Sequence, residues 1–212
     1  MDFSELMNRH AGETIYIIGA GPSLDAFDNT EMGDSPRIVI NQMIHNPCVV
    51  PVLNDKTYWI YMDSKRKELY PNWRGQTPEG VWEVTPNLIY TAKGTTPSEN
   101  GSRVIHFGIE VESSKVIPFD RNECKEKCLL YGASGTGVLA THLAWYMGAE
   151  RIVLVGFDGG IERAKKVEDR YPSAESGVHY LGDSYNRHLD CIGMVLDAKS
   201  IEHTFVTGEK DE

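Results

Sequence analysis

Short apolar runs separated by polar turns organise the first sixty residues. IYII (15–18), RIVI (37–40) and TYWIYM (57–62) each have the length of a buried strand and are rich in β-branched and aromatic side chains. LIYT (88–91) and VIHF (104–107) carry a fainter form of the same pattern. The stretch from 64 to 103 is broken by Pro71, Pro78, Pro86 and Pro97, and reads as loops with short strands.

The second half is more regular. SGTGVLATHLAWYMG (134–148) predicts a helix with Val138, Leu139, Leu143 and Met147 on one face, small Ala140 and Ala144 for close approach to a sheet, and Gly148 as its C-terminal stop. RIVLVG (151–156) follows at once and is apolar after Arg151, as strands buried on both faces are. Residues 161–177 are highly charged and carry no core stripe. DSYNRHLDCIGMVLDAK (183–199) predicts a helix capped by Asp183 or Ser184, with Leu189, Ile192 and Leu196 on one face. HTFV (203–206) reads as a last strand, and GEKDE as a frayed tail. Strands alternating with helices predict one α/β domain over 1–212, a mostly parallel sheet flanked by helices, with a flexible lid at about 159–182.

In open α/β sheets ligands bind beyond the carboxyl ends of the strands. Reading each strand to its end gives Gly19-Ala20-Gly21-Pro22-Ser23, then Asn41 and Gln42, then Asp63 and Ser64, then Gly156, Phe157 and Asp158. In the first loop, Gly19 and Gly21 permit positive φ and close approach of backbone to a ligand. Pro22 suits the first position of a helix and Ser23 adds a hydroxyl, so free N–H groups there favour a phosphate. The loop is neither GxGxxG nor a P-loop, and it also suits a tight strand–helix turn with no ligand. A second glycine-rich loop, YGASGTG (131–137), puts Ser134, Gly135 and Thr136 at the start of the next helix, as an anion or hydroxyl site or as a plain cap. Two such loops suggest a nucleotide. Of the seven histidines, His142 reads as a packed or surface residue, and His106 and His203 as structural. His179, in GVHYLGDS beside the charged segment, is placed for acid–base work under a lid.

Composition narrows the picture only at its edges. A net charge of −10 argues against a protein whose affinity comes from neutralising nucleic-acid backbones. No apolar run approaches a membrane span, and MDFSELMNRHAGE has the character of neither a signal nor a transit peptide. Among Cys48, Cys124, Cys128 and Cys191, the CxxxC pair 124/128 would share a helix face. With no second ligand pair at zinc spacing, the four read as reduced thiols of a cytoplasmic protein.

IIGAGPSL, then IN-Q at 40–42, then the SGTG helix and the strand ending GFD together resemble the bacterial sialyltransferases of the Rossmann-type, lid-bearing class. The same core is shared with a broader family that includes the Maf flagellin glycosyltransferases and the archaeal 6-hydroxymethylpterin pyrophosphokinases. VHYLGDSYNRHLDCIGMVL is similar to the HYIGHS-type segment of the sialyltransferases, whose histidine is the proposed general base. The resemblance covers residues 15–42 and 131–196. It implies a Rossmann-like twisted sheet and a glycosyltransferase that moves a sugar from a CMP- or UDP-linked donor to a hydroxyl acceptor, with no metal or other cofactor. Carried over by position, Gly19, Ala20, Gly21, Pro22 and Ser23 would form the donor phosphate loop. Asn41, Gln42 and Asp63 would contact the nucleotide, Ser134, Gly135, Thr136 and Asp158 would complete the donor site, and His179 would deprotonate the acceptor. The acceptor stays open: a glycan, a small molecule or a modified nucleic-acid base. Ala20 stands where the sialyltransferases place asparagine, Asp63 where the family often has asparagine, and the lid has Tyr171 but not their paired tyrosines. Other readings are a pterin-type pyrophosphokinase, for which NQMIHNP lacks the expected acidic loop, and a non-catalytic nucleotide-binding module. A homo-oligomer is compatible with any of them.

Overall fold

The computed structural model describes residues 2–46, 49–61, 76–77, 80–81, 87–90, 104–106, 108–110, 120–132, 135–158 and 183–207. Strands β1 (Thr14–Ile18), β2 (Arg37–Ile40) and β3 (Thr57–Tyr61) form where the three leading apolar runs lie. β4 (Gln76–Thr77) and β5 (Gly80–Val81), two residues each, pair antiparallel; β6 (Asn87–Tyr90), β7 (Val104–His106) and β8 (Gly108–Glu110) follow. β9 (Leu129–Tyr131), β10 (Arg151–Val155) and β11 (Glu202–Phe205) complete the set. The helices are α1 (Ser23–Ala26), α2 (Arg121–Lys127), α3 (Thr136–Tyr146) and α4 (Asp183–Ala198).

Seven strands form one sheet in the order β11-β10-β1-β2-β3-β6-β7, and every neighbouring pair is parallel. The two-residue period of the strands divides the core into two layers. Ile15, Ile17, Ile38, Tyr58, Ile60, Ile152 and Leu154 face α3 and α4. Ile18, Val39, Trp59, Val153 and Val155 face the other side, covered by Leu24 of α1 and by Met32 and Met43 of two 3-10 turns, Asn29–Met32 and Asn41–His45.

α3 differs from its expected form. The sequence suggests one apolar face, but Val138 to Tyr146 are buried on every side, Thr141 and His142 included, because sheet, α4 and β9 all pack on it. His142 is held there by neutral interactions. Its ring stacks on Trp145 at 4.9 Å, its Nδ1 accepts the Tyr131 N–H at 2.9 Å, and its Nε2 is buried with no partner among the described residues. The helix ends on a Schellman motif: Ala149 N–H donates to Ala144 O, Gly148 N–H donates to Trp145 O, and Gly148 takes φ +93°.

The first residues belong to the core. An Asp2/Glu5 capping box starts a 3-10 turn whose Phe3 stacks on Tyr146 at 4.5 Å and whose Leu6 is fully buried. Cys124 is buried, which raises its thiol pKa to about 11, whereas Cys128 is exposed and caps α2 in the left-handed conformation. The two therefore do not share a face. No helix of the described residues is long and apolar enough to cross a membrane.

Candidate functional site

The strand order reverses between β1 and β10: from β1 the chain builds outward through β2 and β3, and later returns on the other side to lay down β10 and β11. Such a switch point opens a crevice at the carboxyl ends of its two central strands. Here the walls are Gly19–Ser23 after β1 and Gly156–Asp158 after β10.

The two loops are clasped. Gly19 N–H donates to Val155 O at 2.7 Å, and Gly21 N–H to Gly156 O at 2.9 Å. Gly156 N–H donates to Ser23 Oγ at 2.9 Å, and both Ser23 N–H and Ser23 Oγ–H donate to Asp158 Oδ2, at 3.0 and 2.9 Å. Ser23 is fully buried. The N–H groups expected to wait for a phosphate are thus engaged within the chain, and a carboxylate of the protein occupies the start of α1. The glycines also have a different reason from the one the sequence suggested. Neither Gly19 nor Gly21 has positive φ. A Cβ on Gly19 would meet Gly156 O at 2.5 Å, and one on Gly21 would overlap Asp158 Oδ2. What approaches them is the partner loop.

A second cluster lies at the start of α3. Asn41, just beyond β2, has φ +50°, the left-handed region that asparagine enters more readily than other residues with a Cβ. Two contacts hold it: Trp59 Nε1–H donates to its backbone oxygen at 2.7 Å, and Thr136 Oγ1–H donates to its Oδ1 at 3.3 Å. Gln42 follows in the same 3-10 turn. Gly135 precedes α3 with φ +149°, and a Cβ there would lie 2.8 Å from Nε2 of His188 on α4. Burial lowers the His188 pKa, so its imidazole is neutral at pH 7. Phe157 joins the clusters, since a Cβ on Gly19 or on Gly137 would strike its ring, at 3.0 and 2.8 Å.

The structure therefore brings Ser23 to Asp158 and Asn41 to Thr136, with Gly19, Ala20, Gly21, Pro22 and Gly135 along the same edge of the sheet. Asp63, Ser134, His179 and the 159–182 segment lie outside the described residues. Phe157 was named at a strand end but given no role from sequence, and His188 was not singled out. Phe157 sits in a loop, without periodicity. His188 precedes the inward-facing Ile192 by one helical turn, a spacing that marks it as core-facing. Among the described residues, no group of three or more His, Cys, Asp or Glu side chains is arranged to hold a metal.

The arrangement has two chemical ends. The first-turn amides of α3 present hydrogen-bond donors, and the helix dipole there favours negative charge. The Asp158 carboxylate, at the β10 side, accepts hydrogen bonds and repels anions.

Two solved structures are similar to this chain. One is the sialyltransferase CstII from Campylobacter jejuni in complex with a substrate analogue, cytidine-5'-monophosphate. It matches at a TM-score of 0.51 and 11% identity, over 95% of this chain and 82% of that one. The other, a single-residue variant of the sialyltransferase CST-II in complex with CMP, matches at a TM-score of 0.47 and 13% identity, over 92% and 81%. The sialyltransferase-like α/β fold is what the likeness establishes. No protein-family model and no curated protein sequence matches the chain.

Proposed function

We propose that this protein is a glycosyltransferase that moves a sugar from a nucleotide-sugar donor to a hydroxyl acceptor. The observation that carries the reading is Asn41, held in a left-handed backbone conformation by Trp59 and Thr136 on the same edge of the sheet as the switch-point loops, in a fold shared with a CMP-bound sialyltransferase. Left-handed non-glycine residues held by surrounding contacts cluster at functional sites.

In this reading the donor phosphate lies at the start of α3, against the first-turn amides and with Ser134, Gly135, Thr136 and His188 around it. Asn41, Gln42 and Asp63 contact the nucleoside. Gly19–Ser23 and Asp158 form the opposite wall, where Ala20 leaves room for the ligand and the carboxylate keeps phosphate on the α3 side. The acceptor oxygen bonds to the anomeric carbon as the bond from that carbon to the phosphate oxygen breaks. The nucleotide leaves with the electron pair, and the acceptor proton passes to His179. Hydrogen-bond donors of the protein stabilise the leaving phosphate, so the reaction runs without a metal ion.

The test is nucleotide release from a panel of CMP- and UDP-sugars in the presence of EDTA. Release from one class of donor, abolished in His179→Ala and Asn41→Ala, is expected. Binding without release from any donor would identify a non-catalytic module, and turnover confined to ATP with Mg²⁺ would identify a pyrophosphokinase.

A further inference from the structure

Beside the crevice lies a groove of about 900 Å³, in the size range of small-molecule sites. Its walls are the carboxyl ends of β10 and β11 and a stripe of α4. Phe157 and Phe205 supply aromatic surface, and Met194, at 37% exposure, is the large apolar side chain left exposed among the described residues. Gly193 lies on the α4 side. Glycine weakens a helix interior, and here no neighbour requires it, because a Cβ at 193 would meet nothing within 4 Å. The missing side chain leaves bare helix backbone in the groove.

Charge narrows the occupant. Asp158, Asp190 and Asp197 all line the groove and are exposed, and no Lys or Arg is among its described lining residues. Three carboxylates beside aromatic and thioether surface repel phosphates and carboxylates and attract an ammonium group carried on an apolar or sugar body. Asp158 belongs to both spaces, since its Oδ2 closes the clasp with Ser23 while the residue lines the groove.

We propose that this groove is a binding site for an organic cation bearing a protonated amine. Resting on the transferase reading, its continuity with the crevice through Asp158 makes that cation the acceptor.

The experiment is titration of the full chain, followed by NMR or calorimetry without donor, using two matched pairs: glucosamine with N-acetylglucosamine, and phenethylamine with its N-acetyl derivative. Acetylation removes the charge and keeps the body, and the two pairs separate a sugar source from an aryl one. At least one amine should bind about tenfold more tightly than its acetylated partner, a difference of about 1.4 kcal/mol. The preference should weaken with salt and disappear in Asp190→Asn/Asp197→Asn. Gly193→Leu, which favours the helix and fills the groove, should abolish binding with no loss of helical circular dichroism. Equal binding within both pairs, no binding of any probe, or an amine preference that survives the double Asp variant would each overturn the proposal. Nucleotide release from donor alone reads the transferase proposal separately, so either can fail without the other.

Discussion

Replacing Ser23 by alanine separates two roles for the first loop. In the fold, the Ser23 hydroxyl accepts from Gly156 N–H and donates to Asp158, while fully buried. Deleting it strands a buried amide, which costs about 1–3 kcal/mol. Asp158 loses one of two donors, but it is exposed and water replaces that bond at little cost. A total near 2 kcal/mol should lower Tm by roughly 4–8 °C in a chain of this size. Urea denaturation of Ser23→Ala, Asp158→Asn and the double variant should give a coupling energy of about 0.5–3 kcal/mol, as for residues in one network. Had the hydroxyl served a ligand instead, Ser23→Ala would leave stability alone and weaken nucleotide binding. A Tm within about 2 °C of the parent, less than 1 kcal/mol for a chain this long, would refute the clasp.

Three further outcomes follow. Asn41→Gly should keep stability within about 1 kcal/mol, because glycine accepts φ +50° freely, while nucleotide release collapses; Asn41→Val should also lose about 1–2 kcal/mol of stability in urea titration. Gly135→Ala should push the His188 ring away and reduce nucleotide release as far as His188→Ala does, and full activity in Gly135→Ala would show that the imidazole has no part in the site. Burial lowers the His142 pKa from 6.5 to about 3, so the unfolded chain takes up the proton first as pH falls. The stability this residue allows is complete above pH 6.5 and is lost between 6.5 and about 3, at up to about 1.4 kcal/mol per pH unit. Urea midpoints from pH 7 to 4 should fall less steeply in His142→Gln, and parallel slopes would contradict the assignment.

The parts of the fold legible in the sequence were those with enough residues to show a period. Ile15–Ile18, Ile38–Ile40 and Ile152–Val155 are apolar or aromatic because both faces of a parallel strand are covered, and Leu189, Ile192 and Leu196 mark the inner face of a long helix. β8 (GIE) and β9 (LLY) were missed, since neither is rich in β-branched residues and three residues cannot display an alternation on their own. α2 escaped because one buried side chain, Cys124, is all that faces its core. In the candidate site, residue types at strand ends were legible, but their partners were not. The Ser23–Asp158 bond spans 135 positions and the Asn41–Thr136 bond 95, so neither leaves a local signal. Glycine is the sharpest case. Its presence at 19 and 21 announced a close approach, and only the fold told which atoms approach.

The ring of Phe157 sets the order in which substitutions can be accepted. Alanine at 137 meets that ring first and Ile192 only at 3.3 Å, so Gly137→Ala becomes tolerable once Phe157 has shrunk to leucine or valine. Gly19 stays fixed by the Gly156 carbonyl whatever residue stands at 157. A lineage or a library that samples position 137 before 157 will find alanine unacceptable, and one that samples them in reverse will find it neutral. The mouth of the crevice can therefore be reshaped at its α3 side by paired changes, while its β1 side is closed to them.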